Sequence, residues 1–275
     1  MVKFLFLFLV LSSSLQAAIH TGTIEYIDEA QDPKEASHLY LSDGFVLKVN
    51  NEKEILDYEE AREDKIFLRF VVDDDRKIIS VTSLGKLRNP VSRTGKPFVY
   101  EPTVLDSLTD AQKIFNSLRR GSTSWSQCYN RAHVWAYESK KVFNLDSMKV
   151  FMFYTRKYIR EYNFQWWFHV SPFTYTMEDG AKTERVLDFK FTRGPLHMKN
   201  WTDIFMKNKV ECPVITKYSE YENNQEAQYC YLYKASMYYL QPLDLDNNER
   251  TGATKSEWLN YEVKRAYRNG FGVWP

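Results

Sequence analysis

Apolar and polar positions alternate along residues 21 to 27, Thr-Gly-Thr-Ile-Glu-Tyr-Ile, the period of a half-buried strand. Leu39 to Val49 reads as two further runs around Ser42-Asp43-Gly44, a hairpin signal, and Ile66 to Val72 faces Lys77 to Val81 across Asp73-Asp74-Asp75-Arg76. Between these pairs, Glu52 to Arg62 predicts a short charged helix. Residues 19–85 are therefore expected to form a small all-β domain, a barrel or sandwich, that carries nothing catalytic. Pro90, Gly95, Pro97 and Pro102 then break all periodicity, marking residues 86–103 as a linker: either an ordinary interdomain connection or one in which Lys86, Arg88, Arg93 and Lys96 offer basic sites for proenzyme cleavage.

From Thr109 the period becomes helical: Ala111, Ile114, Phe115 and Leu118 share a face, and Thr109 with Gln112 has the form of a capping box. Cys128 to Tyr137 predicts a second helix whose first turn holds the thiol, capped by Ser124 or Ser126. Aromatic and β-branched runs follow at Met148 to Tyr154, Gln165 to Ser171 and Arg185 to Phe191. The turn residues of Thr176 to Gly180 make the last two adjacent antiparallel strands. Trp201 to Lys207 reads as a short helix, Tyr229 to Leu240 as a strand, and Thr254 to Tyr267 as an amphipathic helix opened by Thr254 and Glu257. The expected fold class is α+β, with the small β domain preceding a 104–275 domain in which a thiol-bearing helix packs on an antiparallel sheet.

Composition narrows the classes. With 44% apolar and 27% charged residues in 275, the chain is neither a disordered tail nor a coiled coil. Its 37 Lys plus Arg against 36 Asp plus Glu leave no basic stripe for a phosphate backbone, which argues against nucleic acid as a partner. Residues 1–18 combine Lys3, the apolar run Phe4 to Leu11 and a small polar exit ending Ala17-Ala18, the pattern of a cleavable signal peptide, too short to span a bilayer. A secreted or periplasmic location, without stable membrane insertion, is expected, and disulfides are then allowed.

There are three cysteines. Pairing Cys212 with Cys230, across the turn formers Ser219, Asn223 and Asn224, leaves Cys128 as a thiol. A free cysteine is often an inert small hydrophobe. At a helix N-terminus, however, partial positive charge and free amides favour its thiolate, the form that acts as a nucleophile. The thiol needs a base. His133 lies five residues on, about 140° around the helix and about 7.5 Å along it, so it faces away. His20 and His38 belong to the β domain, and His197 is a rival base. His169 is a polar interruption in the Gln165 to Ser171 strand, and Asp188 a lone carboxylate in the Arg185 to Phe191 strand. On neighbouring strands the two can lie side by side, the carboxylate fixing the imidazole tautomer while the other ring nitrogen faces Cys128. The alternative is that these are satisfied core polar residues. No paired Cys/His spacing supports a zinc site, and no metal or organic cofactor is called for.

The order Cys, His, Asp is that of papain-like and transglutaminase-like hydrolases. More specifically, Cys128-Tyr129-Asn130-Arg131-Ala132-His133, Trp167-Phe168-His169-Val170, Arg185-Val186-Leu187-Asp188, and Gly194-Pro195 followed by Trp201 resemble the bacterial protein-glutaminases, secreted protein-glutamine deamidases with a transglutaminase-like site. The intervals of 41 and 19 residues fit that family, and the resemblance runs from about residue 120 to 245, through Ser236-Met237-Tyr238-Tyr239 and Pro242. The chain departs from the family at Phe189, where proline is usual, and in having far fewer cysteines than the type member.

The resemblance implies a transglutaminase/papain-like core with Cys128 as nucleophile, His169 as acid/base and Asp188 as its orienter. It also implies an inhibitory N-terminal region and, as partners, proteins or peptides bearing exposed glutamine. The oxyanion would be held by the Cys128 N–H and a second donor, for which Gln127 and Trp125 are candidates; Trp167 is a candidate substrate contact. Two other functions fit the sequence: a transglutaminase-like acyltransferase or papain-like peptidase with the same three residues, and a non-catalytic periplasmic binding or envelope protein.

Overall fold

A computed structural model describes residues 17–30, 32, 35–49, 52–86, 99–124 and 126–275; the expected signal peptide up to residue 16, residues 87–98 of the expected linker, and Trp125 lie outside these. The chain divides into two compact units. One contains the described residues up to Leu39 and from Leu47 to 86, the other Tyr40–Val46 together with the described residues from 99 onward.

In the first unit the alternating run of residues 21 to 27 breaks at Thr23 into β1 (Ala18–Gly22) and β2 (Ile24–Asp28). β2 heads a sheet with β3 (Ser37–Leu41) and β4 (Val46–Val49), whose shared turn belongs to the second unit. After α1 (Glu52–Glu63), β5 (Ile66–Val72) and β6 (Ile78–Lys86) pair antiparallel, with β1 on the other side of β5. β6 continues five residues past the expected Val81.

The second unit holds β7 (Val104–Leu105), α2 (Leu108–Ser117), α3 (Cys128–Phe143), β8 (Met148–Tyr154), α4 (Arg156–Tyr162), β9 (Phe168–Glu178), β10 (Ala181–Val186), α5 (Met198–Phe205), β11 (Val214–Ile215), α6 (Tyr218–Asn223), β12 (Cys230–Ser236), α7 (Pro242–Thr251) and α8 (Asn260–Phe271). The protein is thus α+β. Its largest sheet runs β10-β9-β8-β12-β11, with β7 beside β9. The four long strands are antiparallel as expected, whereas the two-residue β7 and β11 pair parallel with their neighbours. β8 lies between two strands and is buried on both faces, which is why Val150 to Tyr154 reads as an unbroken apolar run.

α3 is buried nearly all round. Cys128 and Ala132 join the sheet core with Val150, Phe168 and Trp201, while Val134 and Trp135 enter a second core with Ile114 and Phe115 of α2 and Val263, Ala266, Tyr267 and Phe271 of α8. At Gly270 a Cβ would stand 3.5 Å from Asn130 Cβ, an ordinary van der Waals distance, so α8 passes directly against the first turn of α3. Beyond that turn, buried His133 Nδ1 lies 2.8 Å from Nζ of buried Lys149, which also donates to the Tyr239 carbonyl at 2.6 Å.

Several helix starts differ from expectation. α2 is capped by Ser107, whose hydroxyl accepts from Asp110 N, rather than by Thr109. α3 begins at Cys128 with Gln127 as N-cap and no side-chain cap, so neither Ser124 nor Ser126 fills that role. The last expected helix starts at Asn260, six residues after Thr254: α7 ends at Thr251 with Gly252 in αL, and the chain runs without helix from there to the N-cap Leu259. Cys212 and Cys230 are disulfide-bonded, and Cys128 is free and buried. Among the described residues no helix is long and apolar enough to cross a membrane.

Candidate active site

Cys128 is the first residue of α3, where backbone N–H groups have no partner within the helix and the helix dipole is positive. His169 is the second residue of β9, on the strand against which α3 packs. Its Nε2 is 2.7 Å from Asp188 Oδ2, and the thiol stands within hydrogen-bonding reach of the imidazole. Engaging Nε2 with the carboxylate turns Nδ1 toward the sulfur.

Asp188 does not sit on a strand as its apolar neighbours implied. β10 ends at Val186. Leu187 N then donates to the Pro172 carbonyl at 2.8 Å, and the Asp188 carbonyl accepts from Phe191 N, Thr192 N and Thr192 Oγ1 at 3.1, 2.9 and 3.0 Å. A tight turn, rather than ladder pairing, therefore holds the carboxylate beside His169. Asp188 Oδ2 also accepts from Trp201 Nε1 at 3.0 Å.

Aromatic rings enclose the imidazole: Phe205 at 4.5 Å, Phe191 at 5.2 Å, Trp201 at 5.6 Å and Trp166 at 6.2 Å between centroids. Burial alone would lower the His169 pKa; the Asp188 carboxylate and then the Cys128 sulfur outweigh it, and the pKa is pushed up to about 9. The arrangement can hold a proton on the ring beside the sulfur.

The other expected residues divide. Gln127 adjoins the thiol in sequence, and its Oε1 accepts from Asn130 Nδ2 at 2.9 Å, presenting the amide nitrogen as its donor end. Trp125 lies outside the described residues. Trp167 is buried, and its Nε1 donates to the Leu41 carbonyl at 2.7 Å. The segment around it is paired: Trp167 N donates to Gly44 O at 3.0 Å, Val46 N to Gln165 O at 2.9 Å, and Phe45 bridges antiparallel to Trp166. Gly44 has φ +94, and a Cβ there would come within 3.2 Å of the Phe168 ring, so the turn Tyr40–Val46 requires a glycine at this point. His197 is exposed at the N-cap of α5, and His20 and His38 lie on β1 and β3. Sequence reasoning gave no role to Phe191, Phe205, Trp201 or Arg131. For Trp201 the signal was available, a lone indole on an amphipathic helix close behind the aspartate.

The glutaminase family model matches residues 111–205. No curated protein matches the chain. Among solved structures, the fold is similar to pro-protein-glutaminase, with a TM-score of 0.55, 11% identity and coverage of 92% of either chain. A mutant of pro-protein-glutaminase gives 0.52 and 12% over 92% of this chain and 94% of that one. The segment carrying Cys128 to His133 and the motifs after it thus lies within the residues, 111–205, that match the glutaminase family model, and the chain around it has a fold similar to that of pro-protein-glutaminase.

Proposed function

We propose that the protein is an exported protein-glutamine deamidase with a transglutaminase-like core, in which Cys128 is the nucleophile, His169 the acid/base and Asp188 its orienter. The observation that carries this reading is the 2.7 Å contact of His169 Nε2 with Asp188 Oδ2 beside a thiol at the start of α3. The Cys128 thiolate attacks the side-chain carboxamide carbon of a protein glutamine, and the negative oxygen is held by the Cys128 N–H, with the Gln127 amide as candidate second donor. One such donor contributes roughly 3 kcal/mol to the transition state. As the C–N bond breaks, the His169 imidazolium gives its proton to the leaving ammonia, leaving a thioester. Water then loses a proton to His169 and adds to the thioester, releasing glutamate and restoring the thiolate.

Export is supported by the leader pattern of residues 1–18. A proenzyme form is supported by the extent of the fold likeness, which spans 92% of the proenzyme structure, and by the pairing of Tyr40–Val46 along Gln165–Trp167, the chain leading into His169.

Incubation with a glutamine-rich protein tests the reading. Ammonia release without crosslinks or chain cleavage, lost in Cys128→Ser and His169→Ala, is expected. Crosslinked products would assign an acyltransferase and cut chains a peptidase, and a fully active Cys128→Ser variant would overturn the assignment of the nucleophile.

A further inference from the structure

Arg131 follows Cys128 by three residues, which places the two side chains as neighbours on α3. It is 5% exposed, and among the described residues it makes no ion pair with a carboxylate and its Nε has no hydrogen-bond partner. A guanidinium in such a position is costly to bury unless another charge or a set of acceptors offsets its lost hydration. Two features do so. Nη1 donates to the Ser126 carbonyl, and at 3.3 Å to Ser126 Oγ. The charge also interacts with Cys128 and with Asp188, and its Cζ lies 6.0 Å from the ring of Phe191, the residue that flanks His169.

Ser126 belongs to the short connection into α3. The far end of that connection is pinned by Thr123, whose N and Oγ1 donate to the carbonyls of Gly270 and Asn269 at 3.0 and 3.1 Å, and Ser126 N donates to Thr123 O at 3.1 Å. At the near end, Gln127 supplies no side-chain cap to α3. The guanidinium thus holds the Ser126–Gln127 peptide, one residue ahead of the peptide that carries the Cys128 N–H, the expected oxyanion donor; the Gln127 carbonyl of that second peptide accepts from Arg131 N at 3.3 Å.

We propose that Arg131 is a positioning residue for the reaction: it clamps the Ser126 carbonyl so that the amide at the head of α3 faces the reacting carbonyl, and it sets a buried positive charge beside the sulfur. The proposal rests on the reading of Cys128 as nucleophile. Among the described residues, the charged or titratable groups around that sulfur are His169 from β9, Asp188 from the turn after β10, Tyr154 from β8, and Arg131 and Tyr129 from α3 itself. Of these, Arg131 alone carries a fixed positive charge.

Arg131→Met and Arg131→Lys, prepared in the full chain, test it through the pH profile of Cys128 alkylation by iodoacetamide and through steady-state deamidation. In Arg131→Met the alkylation profile is expected to move to higher pH, lowering the rate at neutral pH about tenfold, as loss of a neighbouring opposite charge does. The fall in deamidation should appear in kcat with KM little changed. Arg131→Lys is expected to restore the alkylation profile, by keeping the charge, but not the full kcat, because one ammonium cannot reproduce the planar fork. A wild-type profile and kcat in Arg131→Met would overturn the proposal while leaving the nucleophile assignment intact. Wild-type deamidation surviving Cys128→Ser would instead overturn the reading beneath it. Should Arg131→Met not fold, Arg131→Lys decides alone: unchanged kcat would overturn the positioning role.

Discussion

One oxygen of Asp188 accepts both His169 Nε2 and Trp201 Nε1, so the orientation of the imidazole depends on an indole thirteen residues beyond its carboxylate. Trp201→Phe keeps an aromatic ring against His169 and removes the donor. Hydrogen bonds to charged groups contribute about 1.5–3 kcal/mol, so deamidation should fall at least tenfold in kcat with a folded protein, as steady-state kinetics would show; an unchanged kcat would mean that Asp188 is held by its turn alone. Asp188→Asn removes the charge itself and is expected to lower activity by at least about a hundredfold. The linked pH effect has a definite sign. Because Asp188 and then Cys128 push the folded-state pKa of His169 above its unfolded value, to about 9, the stability it contributes is fully present below about pH 6.5 and is lost as pH rises through about 9. Denaturant midpoints between pH 6.5 and 10 should show this loss in the wild type and a flatter profile in Asp188→Asn.

α3 was legible as an element because Cys128 to Tyr137 combines a helical period with a run of residues that fit a buried helix, and its first residue is the thiol. The strand across from it was legible as well, although β9 begins at Phe168 rather than Gln165. The turn bearing Asp188 was not. Val186 and Leu187 are as buried as strand residues, and a side-chain pattern cannot tell that the next carbonyl will accept three hydrogen bonds within four residues. α4 escaped for a related reason: Tyr158 and Ile159 suit a strand as well as a buried helix face, and what starts the helix is local, the Thr155 hydroxyl accepting from Tyr158 N and the Thr155 carbonyl from Ile159 N. Candidates for the second oxyanion donor read from sequence were Gln127 and Trp125; the contact of Arg131 with the Ser126 carbonyl, five residues back, carries no sequence signal of its own. At β12 the Cys212–Cys230 bond closes an 18-residue separation. Replacing both cysteines by serine should cost roughly 3 kcal/mol, read as a lower denaturant midpoint, with deamidation retained at room temperature.

Two compact units and a basic, proline-interrupted connection make limited proteolysis the natural probe of the whole molecule. Trypsin cleavage within residues 86–103 is expected to raise deamidation several-fold if the N-terminal region restrains the enzyme, measured as ammonia release before and after the cut; a constant rate would count against a proenzyme. Sequence could not assign Tyr40–Val46 to the second unit, because Ser42-Asp43-Gly44 closes its hairpin by the same local chemistry whichever surface the tip meets. The pair His133 and Lys149 acts at this scale too. Burial, with Lys149 and Lys255 beside it, holds the His133 pKa well below its usual value, and burial likewise depresses Lys149, so the native core refuses protons that the unfolded chain accepts. For His133 that refusal begins to weaken the fold as pH drops through about 6.5. Acid is therefore expected to loosen the packing behind α3 first, read as a denaturant midpoint that falls below about pH 6.5, so the interior of the molecule sets its own acid limit on the fold.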